Sequence, residues 1–187
     1  MTTYPNVALC GKMRSGKSVV AQYLAEKYGY AEFAFGDELK RTAHEMFDIP
    51  ETPKPRELYQ WWGQTLRQRE PDIWVRKCFD RISDEAMFLD AYGDILRSLI
   101  SDIRQPNEYS RCRAEGYVII RVNAPEELRR QRALAEGDAF DSASLAHETE
   151  QHVDLFAVDY DVYNTGTFES LREQIDAIMA AIALEEG

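Results

Sequence analysis

Cysteine is scarce in this chain. The three present, Cys10, Cys78 and Cys112, are widely spaced and odd in number. That pattern suggests neither a disulfide framework nor a zinc-ligand pair, and buried core thiols are expected. No apolar run approaches the ~20 residues that span a bilayer. Met1 to Asn6 lack the basic-then-apolar pattern of a secretory signal, so a cytoplasmic protein without a membrane partner is expected. Internal repeats and low-complexity tracts are absent as well. Basic residues almost vanish from the C-terminal part: residues 135–187 carry 1 basic and 13 acidic side chains, against 21 and 20 in residues 1–134. The net charge of −11 is therefore concentrated at one end, and only the first part suits an anionic ligand. No block of consecutive basic residues offers a phosphate track, which argues against duplex nucleic acid. His44, His147 and His152 show no metal-ligand spacing with a cysteine or acid cluster.

A length of 187 residues supports one well-buried core and predicts a single domain over 1–187. Of the 22 cations, 16 are arginine, whose planar fork grips phosphate oxygens in pairs. Strand and helix patterns alternate. Strands are predicted at Val7–Cys10, Tyr30–Phe35, Leu96–Ser101, Tyr117–Val122 and Asp159–Tyr163. Helices are predicted at Lys17–Tyr28 closed by Gly29, at Asp37–Phe47, near Arg56–Glu70 and Ile73–Tyr92, around Asn107–Glu115 and Pro125–Leu134, and at Thr167–Leu184. A loop with Pro50, Pro53 and Pro55 separates the second helix from the third. This order implies an α/β fold, a mainly parallel sheet with helices on both faces.

Gly11-Lys12-Met13-Arg14-Ser15-Gly16-Lys17-Ser18 fits the Walker A pattern, with an apolar strand before it and an amphipathic helix after it. Gly11 and Gly16 permit the backbone angles that turn successive amides inward, and the helix N-terminus adds its own donors. Arg14, Ser15 and Gly16 belong to that phosphate cradle. Lys17 is expected to reach the β- and γ-phosphates and Ser18 to offer its hydroxyl to magnesium. The alternative, a glycine turn that merely caps a helix, accounts for neither the lysine nor the hydroxyl. The motif predicts nucleoside triphosphate binding and leaves the acceptor open.

Arg56, Gln60, Gly63 and Arg67 follow steps of four, three and four residues and share one helix stripe, while Leu58, Trp61, Trp62 and Leu66 can pack inward on the other side. A solvated surface would explain the arginines but not Gly63, which costs about 1 kcal/mol against alanine in a helix interior. Close approach of a ligand would explain it, so the stripe is expected to bind the acceptor. Asp37 opens the preceding helix at a strand's carboxyl end, where open α/β sheets bind ligands, although an N-cap would also explain it. Asp102 ends the next apolar segment and is expected to help hold magnesium, and Arg104 could meet an acceptor phosphate. Arg129, Arg130 and Arg132 precede the polar stretch 135–144, which has the makeup of a lid. Cations there could cover the transferring group, or form an exposed basic face.

These motifs together resemble the bacteriophage-type deoxynucleoside monophosphate kinases, with dephospho-coenzyme A kinases as more distant relatives on the same fold. The likeness runs through most of the chain. It covers the Walker loop, Phe33 to Lys40, the Arg56/Gln60/Gly63/Arg67 helix leading to Asp72-Ile73-Trp74, Ser101 to Glu108, His147 to Glu150, and Tyr160 to Thr167. The resemblance implies a P-loop NTPase fold with acceptor-binding helices over about 37–92 and a short lid over about 129–150. It implies ATP with Mg2+ as donor and a (deoxy)nucleoside monophosphate as acceptor. Lys17, Arg129, Arg132 and Asp37 would then be catalytic, Asp37 and the Arg56 to Arg67 stripe would face the acceptor, Arg104 would bind its phosphate, and Asn164, Thr165 and Gly166 would hold the adenine. Two positions depart from the family: Arg14, where a small residue is common, and Gly36, where alanine often precedes the aspartate. A kinase acting on a hydroxyl, with Asp37 as base, and a non-catalytic nucleotide-binding module or regulatory ATPase stand as the alternatives.

Overall fold

Val7, Ala8, Leu9 and Cys10 are all fully buried, and their side chains alternate between the two faces of a strand. A strand buried on both faces belongs in the middle of a covered sheet, and this one does. In the computed structural model, which describes residues 4–49, 55–135 and 152–185, it is β1 (Val7–Cys10). The other elements in chain order are α1 (Lys17–Tyr28), β2 (Ala31–Phe33), α2 (Phe35–Phe47), α3 (Arg56–Arg69), α4 (Ile73–Asp90), β3 (Ser98–Ile103), α5 (Pro106–Ala114), β4 (Val118–Asn123), α6 (Glu126–Ala135), a 3-10 turn at Val153–Leu155, β5 (Tyr160–Tyr163) and α7 (Phe168–Glu185). The sheet order is β2-β3-β1-β4-β5. β1 runs parallel to β3 and β4, and β4 runs parallel to β5. This is the expected α/β P-loop NTPase architecture.

The chain divides into two compact units, Met1–Glu32 with Arg97–Gly187, and Phe33–Leu96. In the first, Val7 and Leu9 pack with Val20 and Leu24 of α1 and with Leu171, Ile175 and Met179 of α7. The three cysteines are free and buried, and burial pushes the Cys10 thiol up to about 11, which makes it inert at neutral pH. Among the described residues no helix is long and apolar enough to cross a membrane, and no group of three His, Cys, Asp or Glu could by itself hold a metal.

In the second unit α2, α3 and α4 pack on one another. Phe35 and Phe79 meet at 6.3 Å between ring centroids, and the buried Trp74 donates its indole N–H to the Gly63 carbonyl at 3.2 Å. Glu38 is also buried, its charge met by Arg41 at 2.7 Å and Arg81 at 3.3 Å. The glycine on α3 has a packing cause: a Cβ at Gly63 would lie 2.4 Å from Leu39 Cδ1. Helix α2 therefore passes over Gly63, and the ligand inferred for that position is not needed to explain it. Trp61, expected to pack inward, is 53% exposed.

Two boundaries differ from expectation where the site is concerned. Helix α2 starts at Phe35 rather than Asp37, because Phe35 and Leu39 are both buried and pull the first turn into the helix. Asp37 is thus a first-turn residue and not an N-cap. Strand β3 runs on to Ile103, so Asp102 lies inside it. The register steps from Ala8↔Ile100 to Cys10↔Ile103, leaving one extra residue in β3 at Ser101–Asp102. A bulge of this kind re-aims a side chain next to a site.

Candidate nucleotide-binding site

The turn between β1 and α1 is built from backbone angles that most residues avoid. Gly11 has φ 147°, Arg14 φ 63° and Gly16 φ 106°. A Cβ on Gly11 would lie 2.5 Å from the Val122 carbonyl oxygen and 2.9 Å from Ser15 Oγ. Arg14 holds the left-handed conformation without glycine's freedom, at a cost of about 1–2 kcal/mol. The one cue in the sequence was that Arg14 stands where a small residue is common in the family it resembles. Ser15 is buried, and among the described residues its hydroxyl has no hydrogen-bond partner.

Lys17, the first residue of α1, folds back over the turn. Its ammonium donates to the Gly11 carbonyl at 2.6 Å and the Lys12 carbonyl at 3.1 Å. Beside it lies a cavity of about 540 Å3, a volume suited to a nucleotide. Arg14, Lys17, Arg104 and Arg132 line it, and among the described residues no carboxylate does. Four cations around one cavity favour a polyanion. Met13, Val19, Phe168 and Leu171 give the same cavity an apolar wall. Phe168 was not anticipated from the sequence. Its ring carries the Arg172 guanidinium at 4.1 Å and meets Tyr23 edge-on at 6.5 Å between ring centroids. An aromatic residue opening the helix after Asn164 to Thr167 was the available cue.

Asn164 and Gly166 line the cavity, and Thr165 does not. Asn164 is tied into the framework: its backbone N–H donates to Asn123 and its side-chain amide to the Ser15 carbonyl, at 2.8 and 2.9 Å. Two of the three arginines at the end of the chain's basic part, Arg129 and Arg132, take different places. Arg132 donates to the carbonyls of Arg14, Ser15 and Asn164 at 3.2–3.3 Å and lines the cavity. Arg129 is buried and donates to the Met13 carbonyl at 3.3 Å, and it does not line that cavity. Residues 136–151, including His147 and Glu148 and most of the expected lid, lie outside the described residues. Lys12, inside the loop, pairs with Asp154 just beyond them at 2.6 Å.

The two residues expected to hold magnesium carry oxygen donors of the kind that ion takes. Ser18 is exposed at the cavity, and Asp102 sits half-buried on the bulge of β3 beside β1, both supplying hard oxygens. With few protein ligands, such an ion keeps water and phosphate oxygens in its shell, as magnesium does. Of the expected acceptor residues, Asp37, Gln60, Gly63 and Arg67 belong to the second unit and Arg104 to the first. The side chain of Arg56 lies outside the described residues. Asp37 is half exposed and pairs with Lys40 at 2.8 Å.

A parallel sheet ordered β2-β3-β1-β4-β5, with a glycine-rich turn between its central strand and α1, defines a P-loop nucleotide-binding protein of the kind found among kinases. The chain belongs to the AAA_18 family, described as an AAA domain, whose model matches residues 7–152. It is 27% identical over 143 residues to a protein of Acanthamoeba polyphaga mimivirus named "Putative deoxynucleotide monophosphate kinase", covering 64% of this chain and 74% of the relative. Its fold is shared with a gluconokinase from Sinorhizobium meliloti 1021, at 16% identity, TM-score 0.61, and coverage of 99% of this chain and 97% of that one. A dephospho-CoA kinase from Campylobacter jejuni also shares it, at 14% identity, TM-score 0.55, and coverage of 97% and 98%.

Proposed function

We propose that this chain transfers the γ-phosphoryl group of ATP to the 5′-phosphate of a ribo- or deoxyribonucleoside monophosphate, giving ADP and a nucleoside diphosphate. The observation that carries the reading is the cavity beside the phosphate loop, walled by the cations Arg14, Lys17, Arg104 and Arg132 and, among the described residues, by no carboxylate. The name of the mimivirus relative supports a nucleotide acceptor.

The acceptor phosphate is already an anionic nucleophile near neutral pH, so the protein needs to position and neutralise rather than to deprotonate. Lys17 exchanges the carbonyls of Gly11 and Lys12 for the β- and γ-phosphates, a trade of neutral acceptors for charged ones. Arg132 borders the same phosphates while still bracing the loop. Arg104 and Arg67 neutralise the acceptor, and Asp37 with the Arg56 to Arg67 stripe orients it. Ser18 and Asp102 would hold the magnesium ion, which screens the triphosphate's charge. Asn164 and Gly166, which line the cavity, border the adenine.

The test is ADP formation from ATP with a panel of ribo- and deoxyribonucleoside monophosphates, with dephospho-coenzyme A and gluconate alongside. At least one monophosphate should turn over at roughly 1–100 per second. Asp37→Asn should then weaken acceptor affinity more than it alters the pH dependence of the chemical step. Turnover of a hydroxyl acceptor alone, with Asp37→Asn removing the basic limb, would replace this reading by a hydroxyl kinase. No acceptor-stimulated ADP release would leave a nucleotide-binding module.

A further inference from the structure

A loop that turns its amide N–H groups toward a phosphate necessarily turns carbonyl oxygens the other way. Buried carbonyls need donors, so a phosphate loop has a second, outward set of contacts to satisfy. In this chain much of that set comes from α6 and the end of β5. Arg132 serves Arg14 and Ser15, Asn164 serves Ser15, and Arg129 serves Met13.

The two arginines of α6 are not equivalent. Arg132 lines the cation-walled cavity, where it can also meet a triphosphate. Arg129 is only 5% exposed and lines a different cavity of about 200 Å3, with Gly11, Lys12, Arg121 and Asp154 among its walls. A guanidinium stays charged when buried and offers several donors in a fixed fork, whereas a buried lysine tends to lose its proton. We propose that Arg129 is a positioning residue: through the Met13 carbonyl it holds the phosphate loop with its amides turned inward, and it does not touch the transferring phosphoryl group. This rests on the triphosphate-binding reading of the loop and not on the identity of the acceptor.

The test measures Mg·ADP and Mg·AMP-PNP affinity by calorimetry on the full chain, for Arg129→Met and Arg129→Lys, with kcat, both KM values and the thermal midpoint alongside. A misplaced loop weakens every phosphate contact it makes. Both nucleotides should therefore bind more weakly by a common factor of roughly ten- to a hundredfold, with the lysine variant no better than the methionine. Acceptor KM should be unchanged. Intact ADP binding with loss confined to AMP-PNP or to kcat, partly rescued by lysine, would place Arg129 on the transferring group and overturn the proposal. Unchanged binding with only a lower thermal midpoint would overturn it too, as would failure of both variants to fold. Because the binding measurements use no acceptor, an inactive monophosphate panel would leave this inference standing.

Discussion

The side-chain amide nitrogen of Asn164 sits 2.1 Å from where a Cβ on Gly16 would stand, while donating to the Ser15 carbonyl at 2.9 Å. One side chain thus both braces the phosphate loop and occupies the space that only glycine leaves free. Gly16→Ala should lower ATP affinity by about a hundredfold or more, because φ 106° strains any L side chain even before the contact is counted. Adding Asn164→Ala relieves the contact but not the strain. Calorimetry on the double variant should accordingly recover only part of the loss, and full recovery would show that the contact alone excludes a side chain.

Lys17→Ala should fold normally, since the hydrogen bonds its ammonium gives to the Gly11 and Lys12 carbonyls lie within the loop and not in the core. It should reduce kcat by about 100- to 1000-fold, the range for removing one donor to developing charge. Steady-state kinetics against circular dichroism separates the two effects. Near-normal kcat would remove Lys17 from the mechanism.

Gly63→Ala addresses packing against ligand contact on α3. With Leu39 Cδ1 at 2.4 Å from the added methyl, overpacking of about 1–3 kcal/mol less the ~1 kcal/mol that alanine gains in a helix should leave a net cost of up to about 2 kcal/mol and lower the thermal midpoint. A raised acceptor KM at an unchanged midpoint would restore the ligand explanation.

That glycine also marks a limit of sequence reading. A gap in a helix stripe reveals that something comes close, but a passing helix and a bound ligand leave the same trace. The phosphate loop was legible because its glycines, lysine and hydroxyl are fixed in spacing by the phosphates they serve. The parallel sheet was legible because β1 and β4 carry the apolar runs that burial on two faces demands. Arg129 and Arg132 could not be separated, since both lie in one basic stretch and their difference is made by carbonyls more than a hundred residues away in sequence. The bulge that keeps Asp102 inside β3 is likewise a matter of register between strands, which no single strand encodes.

Asp176 on α7 gives a pH prediction. Burial raises its pKa, but hydrogen bonds from Lys27, Tyr28 and Tyr23 outweigh that and hold it below the ordinary aspartate value. A lowered folded-state pKa stabilises the protein above the unfolded value of about 3.9, and that contribution is lost as pH falls through the folded one. The side chain is 36% exposed, so screening limits the effect to about 1 kcal/mol, or roughly 2–4 °C in Tm. Asp176→Asn should lie below the wild type by that amount at pH 7 and converge with it in strong acid. Parallel melting curves at every pH would refute the ion-linked contribution.

The most direct test of the central claim follows the phosphorus atom itself. ATP labelled at the γ-phosphate is incubated with the protein, magnesium and the best monophosphate from the panel, and the products are separated. The account predicts that the label appears at the β-position of the nucleoside diphosphate formed from the acceptor, in step with ADP, and that Lys17→Ala slows its appearance by about 100- to 1000-fold. Label recovered as inorganic phosphate, or on a sugar hydroxyl instead of the acceptor phosphate, would contradict it.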